Sequence, residues 1–250
     1  MLVELGLIAL LGGILAMDRS AGWNMMLGQP LVGACLAGSL LIPEHQWELW
    51  ALRIPLGVGV LLQLLLTDPA LPAAQRPRDV ATAGVVGASV ALLGFERLNP
   101  LIPLTTGGIL WVLVGTIAGL LSSVVGGWME QMLRSGNQED ARRAESLLVE
   151  GRLKAFEALF WGGVFRTFVR GATWSAAASV AGLAATALLL PRLAHLVTGP
   201  RAGLIFAALL GSAFGAGYVA HVRVSKQGLR WAALGALVVL VLFRARGMKP

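Results

Sequence analysis

The sequence predicts an all-α integral membrane protein, folded as a polytopic helical bundle, and three observations predict it. Hydrophobic residues make up 56% of the chain and charged residues only 13%, whereas soluble domains carry about 25% charged residues. The mean hydropathy is +0.75. Apolar runs long enough to cross a hydrocarbon core of about 30 Å recur along the chain. Such a chain cannot cover a water-facing surface, so we expect a lipid bilayer around it.

The formal net charge of +7 does not indicate nucleic acid as a partner. Basic residues in membrane proteins usually lie in cytoplasmic loops and near anionic headgroups, and no groove-reading motif accompanies the charge. Cys35 is the only cysteine and the three histidines are scattered along the chain. We therefore expect no intrachain disulfide, no metal site and no cofactor.

The stretch Met17–Gly38 interrupts the apolar pattern more strongly than any other part of the first half. Its polar side chains include Asp18, Asn24 and Gln29, and Pro30 then begins a segment of small residues. Polar, Gly- and Pro-broken backbone is costly in lipid unless protein or a wet cavity surrounds it. We therefore expect a broken or re-entrant segment whose polar groups face a substrate.

Apolar runs define the other elements of the first half. Asp79 stands where a carboxylate caps a helix and meets the positive end of its dipole. The connector Thr67–Arg78 is rich in proline, which excludes regular helix. A short polar turn is expected at Glu96–Asn99. The predicted helical segments are Leu2–Met17, Pro30–Ile42, Arg53–Leu66 and Val80–Phe95.

The second half begins with an uncharged segment, Pro100–Gly127, in which Gly115 and Gly119 indicate close helix packing. Charges of alternating sign over Met129–Lys154 predict a solvent-exposed helix with i,i+4 ion pairs, and a docking surface for another subunit is the alternative. A second long apolar region, Ala155–Leu190, follows. A loop at Pro191–Arg201 and apolar segments at Ala202–Val222 and Trp231–Phe243 complete the chain.

We predict one membrane domain over residues 1–250, with helical halves at 1–128 and 155–250 flanking a charged helical connector at 129–154. The two halves suggest an inverted repeat of the kind found in many transporters. Within the second half, Arg166 and Arg170 are four residues apart and share a helical face. A buried arginine at membrane depth is costly, so structural pairing, snorkelling or contact with a substrate or partner are the alternatives.

No catalytic constellation is present in the sequence. It contains no Gly-rich phosphate loop, no HExxH and no GxSxG motif, so the chain is not expected to be an enzyme. The polar groups within apolar segments are amides, hydroxyls and single carboxylates. Such groups suit hydrogen bonding to a neutral polyol better than bond cleavage.

Short motifs resemble those of enzyme IIC, the membrane subunit of the mannose–fructose–sorbose group of the bacterial phosphotransferase system. Met17-Asp18-Arg19 is followed by Gln29-Pro30-Leu31-Val32. Gly59 and Gln63 stand in the place of a G-x-x-x-E-like apolar helix of the family. After a connector, Arg78-Asp79 stands where an aspartate opens the family's next helix. The charged stretch 129–154 and the segment LPRLAHLVTGPRAGLIFAALLGSAFGAGYVAHV also resemble the family's second half. The similarity covers most of the chain.

The resemblance implies a sugar-translocating, multi-pass subunit of the bacterial inner membrane that binds a neutral hexose at mid-membrane. In that family IIC works with a IID membrane subunit, while IIA and IIB relay the phosphate, so neither phosphorylation site belongs to IIC. Carried over by position, Gln63 and Asp79 are the first sugar-binding candidates, followed by Asp18, Asn24 and Gln29. An interhelical hydrogen bond for Gln63 and a helix cap for Asp79 are the structural alternatives.

The chain departs from the family pattern at two places. Gln63 replaces an acidic residue, and charge-assisted hydrogen bonds are roughly twice as strong as neutral ones. The connector 67–78 has no glycines and contains Arg76 and Arg78. A non-transporting relative, acting as a membrane scaffold or regulatory partner, is therefore the alternative function, and a homo-oligomer remains open.

Overall fold

The computed structural model describes residues 1–20, 27–42, 52–66, 79–98 and 108–197, together with residues 208 and 211. Apart from short turns and terminal residues, the chain is helical in these ranges, and no strand occurs in them. Three stretches are long and apolar enough to cross a membrane, Val80–Leu98, Leu110–Val149 and Leu153–Leu189, which indicates a membrane protein. The helices are α1 Leu2–Ser20, α2 Pro30–Leu41, α3 Arg53–Leu66, α4 Val80–Leu98, α5 Ile109–Val149 and α6 Leu153–Val197.

The helices α1 and α5 both run antiparallel to α4. Glu4, near the start of α1, forms an ion pair with Arg97 near the end of α4. At the other end of α4, the backbone N–H of Asp79 donates to the carbonyl oxygen of Ser123, 3.0 Å away, in the middle of α5. The start of α4 and the middle of α5 therefore lie at the same level.

The helices α2 and α3 form a short antiparallel hairpin. They contain 12 and 14 residues, so they are roughly 18 and 21 Å long and fall short of a core of about 30 Å. A Cβ on Gly38 would lie 2.6 Å from the ring of Pro55, and the Gln63 side chain reaches Leu31 at the open end. The short helix predicted at Pro30–Ile42 is confirmed.

Small residues allow the central helices to approach closely. A Cβ on Gly119 would lie 2.7 Å from the carbonyl oxygen of Ala83, and one on Gly87 would lie 2.7 Å from that of Gly115. Because both obstacles are backbone atoms, α4 and α5 can pack this closely only without side chains there. The packing role predicted for Gly115 and Gly119 is confirmed.

The helices α5 and α6 form a long hairpin that extends past the start of α4. A turn at residues 150–152, with Gly151 at a φ of 71°, joins them. Between Ser123, level with Asp79, and Val149, α5 continues for 26 residues (149 − 123), or roughly 39 Å. We call residues 127–169 the α5–α6 arm.

Predicted helix boundaries are wrong in α4, α6 and α5. α4 continues to Leu98, where a polar turn was expected from Glu96, because the ion pair of Arg97 with Glu4 holds its last turn. α6 continues through Pro191 to Val197 instead of ending in a loop, since the Ala- and Leu-rich residues before Pro191 favour helix. α5 passes residue 129 without a break and ends at Val149, so a turn at residues 150–152 interrupts the helical connector that was predicted over 129–154.

Several predicted segments lie outside the described residues. These are the connector Thr67–Arg78 and the apolar segment Trp231–Phe243. Only residues 208 and 211 of Ala202–Val222 are described, and both are helical. The inverted repeat therefore stays a prediction.

Candidate functional site

One end of the bundle gathers most of the predicted site residues. Here α1 and α3 end while α2 and α4 begin, and we call it the polar end. Its polar side chains are Asp18, Gln29, Gln63 and Asp79. Asn24 lies outside the described residues.

Two of these side chains bond to the backbone around the start of α2. The Asp18 carboxylate is buried and its Oδ2 accepts the backbone N–H of Gly28 at 3.0 Å. The Gln63 Oε1 accepts the backbone N–H of Leu31 at 3.4 Å. The first N–H groups of a helix have no partner within that helix, so Gln63 from α3 satisfies one of them. The interhelical hydrogen bond considered for Gln63 is present.

The half-buried Gln29 occupies the N-cap position of α2 without using its side chain as a cap. Its backbone is extended, with φ −78° and ψ 141°, and its amide makes no cap hydrogen bond to the helix. Pro30 follows at the first helical position, where a missing N–H costs nothing. Gln29 therefore stands at the start of α2, where the helix dipole is positive, two residues before the N–H group that Gln63 accepts.

Asp79 caps α4, as predicted, and also forms a buried ion pair. Its Oδ1 accepts the backbone N–H of Thr82 at 3.2 Å, which is a capping hydrogen bond. Its Oδ2 accepts a hydrogen bond from Arg170 Nη1 at 3.0 Å. Asp79 is 1% and Arg170 9% exposed. Both carboxylate oxygens of Asp79 are thus engaged by protein groups.

Of the alternatives considered for the two arginines of α6, structural pairing is the one present for both. Arg170 also donates to the carbonyl oxygen of Gly126 at 3.2 Å, so it joins the start of α4 to α5 and α6. Arg166 instead pairs with Asp140 at a more exposed position on the arm. Beside Arg170, the indole N–H of Trp174 donates to Ser122 Oγ at 3.1 Å. Sequence reasoning did not single out Asp140 or Trp174.

Glu130 is a further buried carboxylate. The stretch 129–154 that contains it was predicted to be solvent-exposed, and this prediction is wrong for Glu130. Glu130 is 3% exposed, and its Oε1 accepts hydrogen bonds from the Arg134 guanidinium four residues later. Its Oε2 is buried and has no hydrogen-bond partner among the described residues. The i,i+4 pattern predicted the pair with Arg134 but not the burial, because burial depends on α6.

The polar end therefore has two distinct parts. Asp18, Gln29 and Gln63 lie around the start of α2, whereas Asp79 contacts α5 and α6 through Ser123 and Arg170. The part around α2 offers amide groups and a helix start. The part around Asp79 is a charge-neutralised ion pair, so it holds helices together.

The polar end offers hydrogen-bonding amides and one buried ion pair. Within them, no group of three or more His, Cys, Asp and Glu side chains is placed to hold a metal ion. Comparisons of the chain with models of protein families, with curated proteins and with solved structures find no match.

Proposed function

We propose that the chain is the sugar-translocating IIC subunit of a phosphoenolpyruvate-dependent phosphotransferase system of the mannose–fructose–sorbose type. It would bind a neutral hexose at mid-membrane and pass it to partner subunits for phosphorylation. The observation that carries the proposal is the start of α2, where a break in the apolar chain brings Asp18, Gln29 and Gln63 together.

The charges around this break favour a neutral guest. Asp18 is buried and its Oδ2 accepts an N–H group of the backbone, and Asp79 is neutralised by Arg170. The amides of Gln29 and Gln63 can each donate and accept hydrogen bonds, which matches the hydroxyl groups of a sugar.

The partners and the location follow from the family resemblance. A IID membrane subunit would complete the permease, and IIA and IIB subunits would carry the phosphate, so the chain itself would not be an enzyme. The three apolar helices of membrane-crossing length support a multi-pass location, which we propose is the bacterial inner membrane.

One observation favours a second candidate function, a non-transporting membrane scaffold or regulatory partner. Both oxygens of Asp79 are bonded to protein groups, one to the cap of α4 and one to Arg170. A residue used in this way stabilises the fold and does not require a sugar. A scaffold would keep the bundle and its partners while losing uptake.

Uptake separates the two functions. Cells that produce the chain with its IID and IIAB partners should accumulate hexose phosphate. In Gln63→Leu we expect uptake to fall at least tenfold at unchanged membrane levels, because leucine removes the amide beside the start of α2. Gln138→Leu, which removes an exposed amide from the arm, is the matched control and should retain uptake. Equal uptake in both variants would contradict the proposed site.

A further inference from the structure

The unpartnered buried polar atoms of the described residues are unevenly distributed. Four of the seven are hydroxyl oxygens, on Thr82, Ser89, Ser175 and Ser179. The other three belong to charged or amide groups, and all three lie on α5 or α6: Glu130 Oε2, Asn137 Oδ1 and Arg170 Nε. Buried polar groups in folded proteins almost always have a partner, so this concentration requires an explanation.

A groove lies between the same two helices, and we call it the α5–α6 groove. Its volume is about 290 Å³, close to the lower limit of about 300 Å³ for ligand pockets. It is lined mainly by apolar side chains, with a few polar groups among them. The residues that matter here are Asn137 and Asp140 on α5 and Phe156, Phe160, Gly163 and Thr167 on α6.

The unpartnered atoms continue from the groove toward the polar end. Glu130 and Asn137 are seven residues apart, which places them on one face of α5 two turns from each other. Arg170 follows Thr167, a lining residue, by three residues on α6. Two acceptors and one donor on α5 and α6 thus have no hydrogen-bond partner among the residues that the structure describes.

The charges along the groove are balanced. Asp140 pairs with Arg166, and Glu130 pairs with Arg134. An ion of either sign would have to displace an arginine or a carboxylate from its existing partner, at the cost of leaving a charge unpaired. A hydroxyl group can donate to one atom and accept from another, so it fits without disturbing these pairs.

We propose that the α5–α6 groove binds a small neutral polyol. Hydroxyl groups of the ligand donate to Asn137 Oδ1, and its carbon skeleton packs against Phe156 and Phe160. This site lies apart from the start of α2, so it goes beyond the proposed function. Only the choice of hexoses among the probes rests on that function.

Neighbouring glycines on α6 provide a matched test. A Cβ at Gly162 or at Gly163 meets no atom within 4 Å, so a side chain can begin at either position without a clash. Gly163 lines the groove, and Gly162 does not. Gly163→Leu therefore fills the groove, whereas Gly162→Leu makes the same change beside it. Asn137→Leu and Gln138→Leu form a second pair that removes an amide inside or outside the groove.

The experiment is calorimetric titration of the purified full chain, with any subunits that co-purify, using glycerol, inositol, glucose, mannose and fructose. We expect at least one polyol to bind, with an apparent Kd raised tenfold or more in Gly163→Leu and Asn137→Leu. The Kd should stay within twofold of the unmodified protein in Gly162→Leu and Gln138→Leu.

Each other result has a definite meaning. If every polyol that binds, glycerol and inositol included, keeps its Kd in Gly163→Leu, the groove site is overturned and the proposed function is left standing. Binding of glycerol or inositol, but of no hexose, that is lost in Gly163→Leu supports the groove and contradicts the proposed function. If no polyol binds the unmodified protein, water alone satisfies these atoms and the inference is wrong.

Discussion

Asp79 makes one local contact, with Thr82, and one contact that is distant in sequence, with Arg170. Its capping hydrogen bond to Thr82 is local, spanning three residues, so the position before an apolar run was enough to predict it. Its ion pair with Arg170 spans 91 residues and depends on how α4 packs against α6. The sequence indicated that Arg170 needed a partner, but several carboxylates were available and the pattern did not identify which one.

The buried pair yields a stability prediction. Arg170→Met leaves the Asp79 carboxylate buried without its cation, and breaking a buried pair in this way costs about 3–5 kcal/mol. Arg166→Met breaks the more exposed pair with Asp140, and exposed pairs contribute about 0–1 kcal/mol. Thermal unfolding in detergent should therefore show a large loss of stability for Arg170→Met and a small one for Arg166→Met. Equal losses would mean that the Asp79–Arg170 pair is hydrated.

Among the elements, the short ones were predicted best. Arg53–Leu66 matches α3 at both ends, and α1 and α2 differ from their predicted ends by one to three residues at the carboxyl side. Their ends are marked by proline and polar residues, which act locally. The long helix α5 was divided too early, because a change from apolar to charged residues marks a change of surroundings and does not end a helix. The predicted end of α6 was too early because Pro191 lies inside the helix.

Close packing of α4 on α5 yields a second stability prediction. A Cβ added by Gly119→Ala meets the backbone oxygen of Ala83 at 2.7 Å, so the helices must separate, and overpacking of this kind costs about 1–3 kcal/mol. In Gly136→Ala the new Cβ meets nothing within 4 Å, and alanine favours a helix over glycine by about 0.8–1 kcal/mol.

Chemical unfolding of both variants in the same detergent checks this prediction. Gly119→Ala should unfold at lower denaturant concentration than the unmodified chain, and Gly136→Ala at an equal or higher concentration. A gain of stability in Gly119→Ala would show that α4 and α5 are less closely packed there than described.

At the scale of the whole molecule, composition and the recurring apolar runs predicted helices of membrane-crossing length, and the part of the chain that the structure describes contains three. Most of the polar end was also predicted, since Asp18, Gln29, Gln63 and Asp79 lie at the ends of predicted helices. The separation into an α2 part and an ion-paired part could not be predicted, because it depends on which helix faces each side chain. The same reason explains why Glu130, Asp140 and the α5–α6 groove were missed.

The central claim is that the break before α2 exists to hold a neutral hexose, and ligand-dependent stabilisation tests it most directly. The complex purified from native membranes through this chain should be heated in increasing concentrations of mannose, fructose, glucose and sorbose. At 100 times its dissociation constant, a bound sugar adds about 2.7 kcal/mol to the stability of the folded state. We predict that one hexose raises the unfolding temperature in a saturable manner and that Gln63→Leu abolishes the rise. Unfolding temperatures that are independent of every hexose would contradict the permease and favour the scaffold.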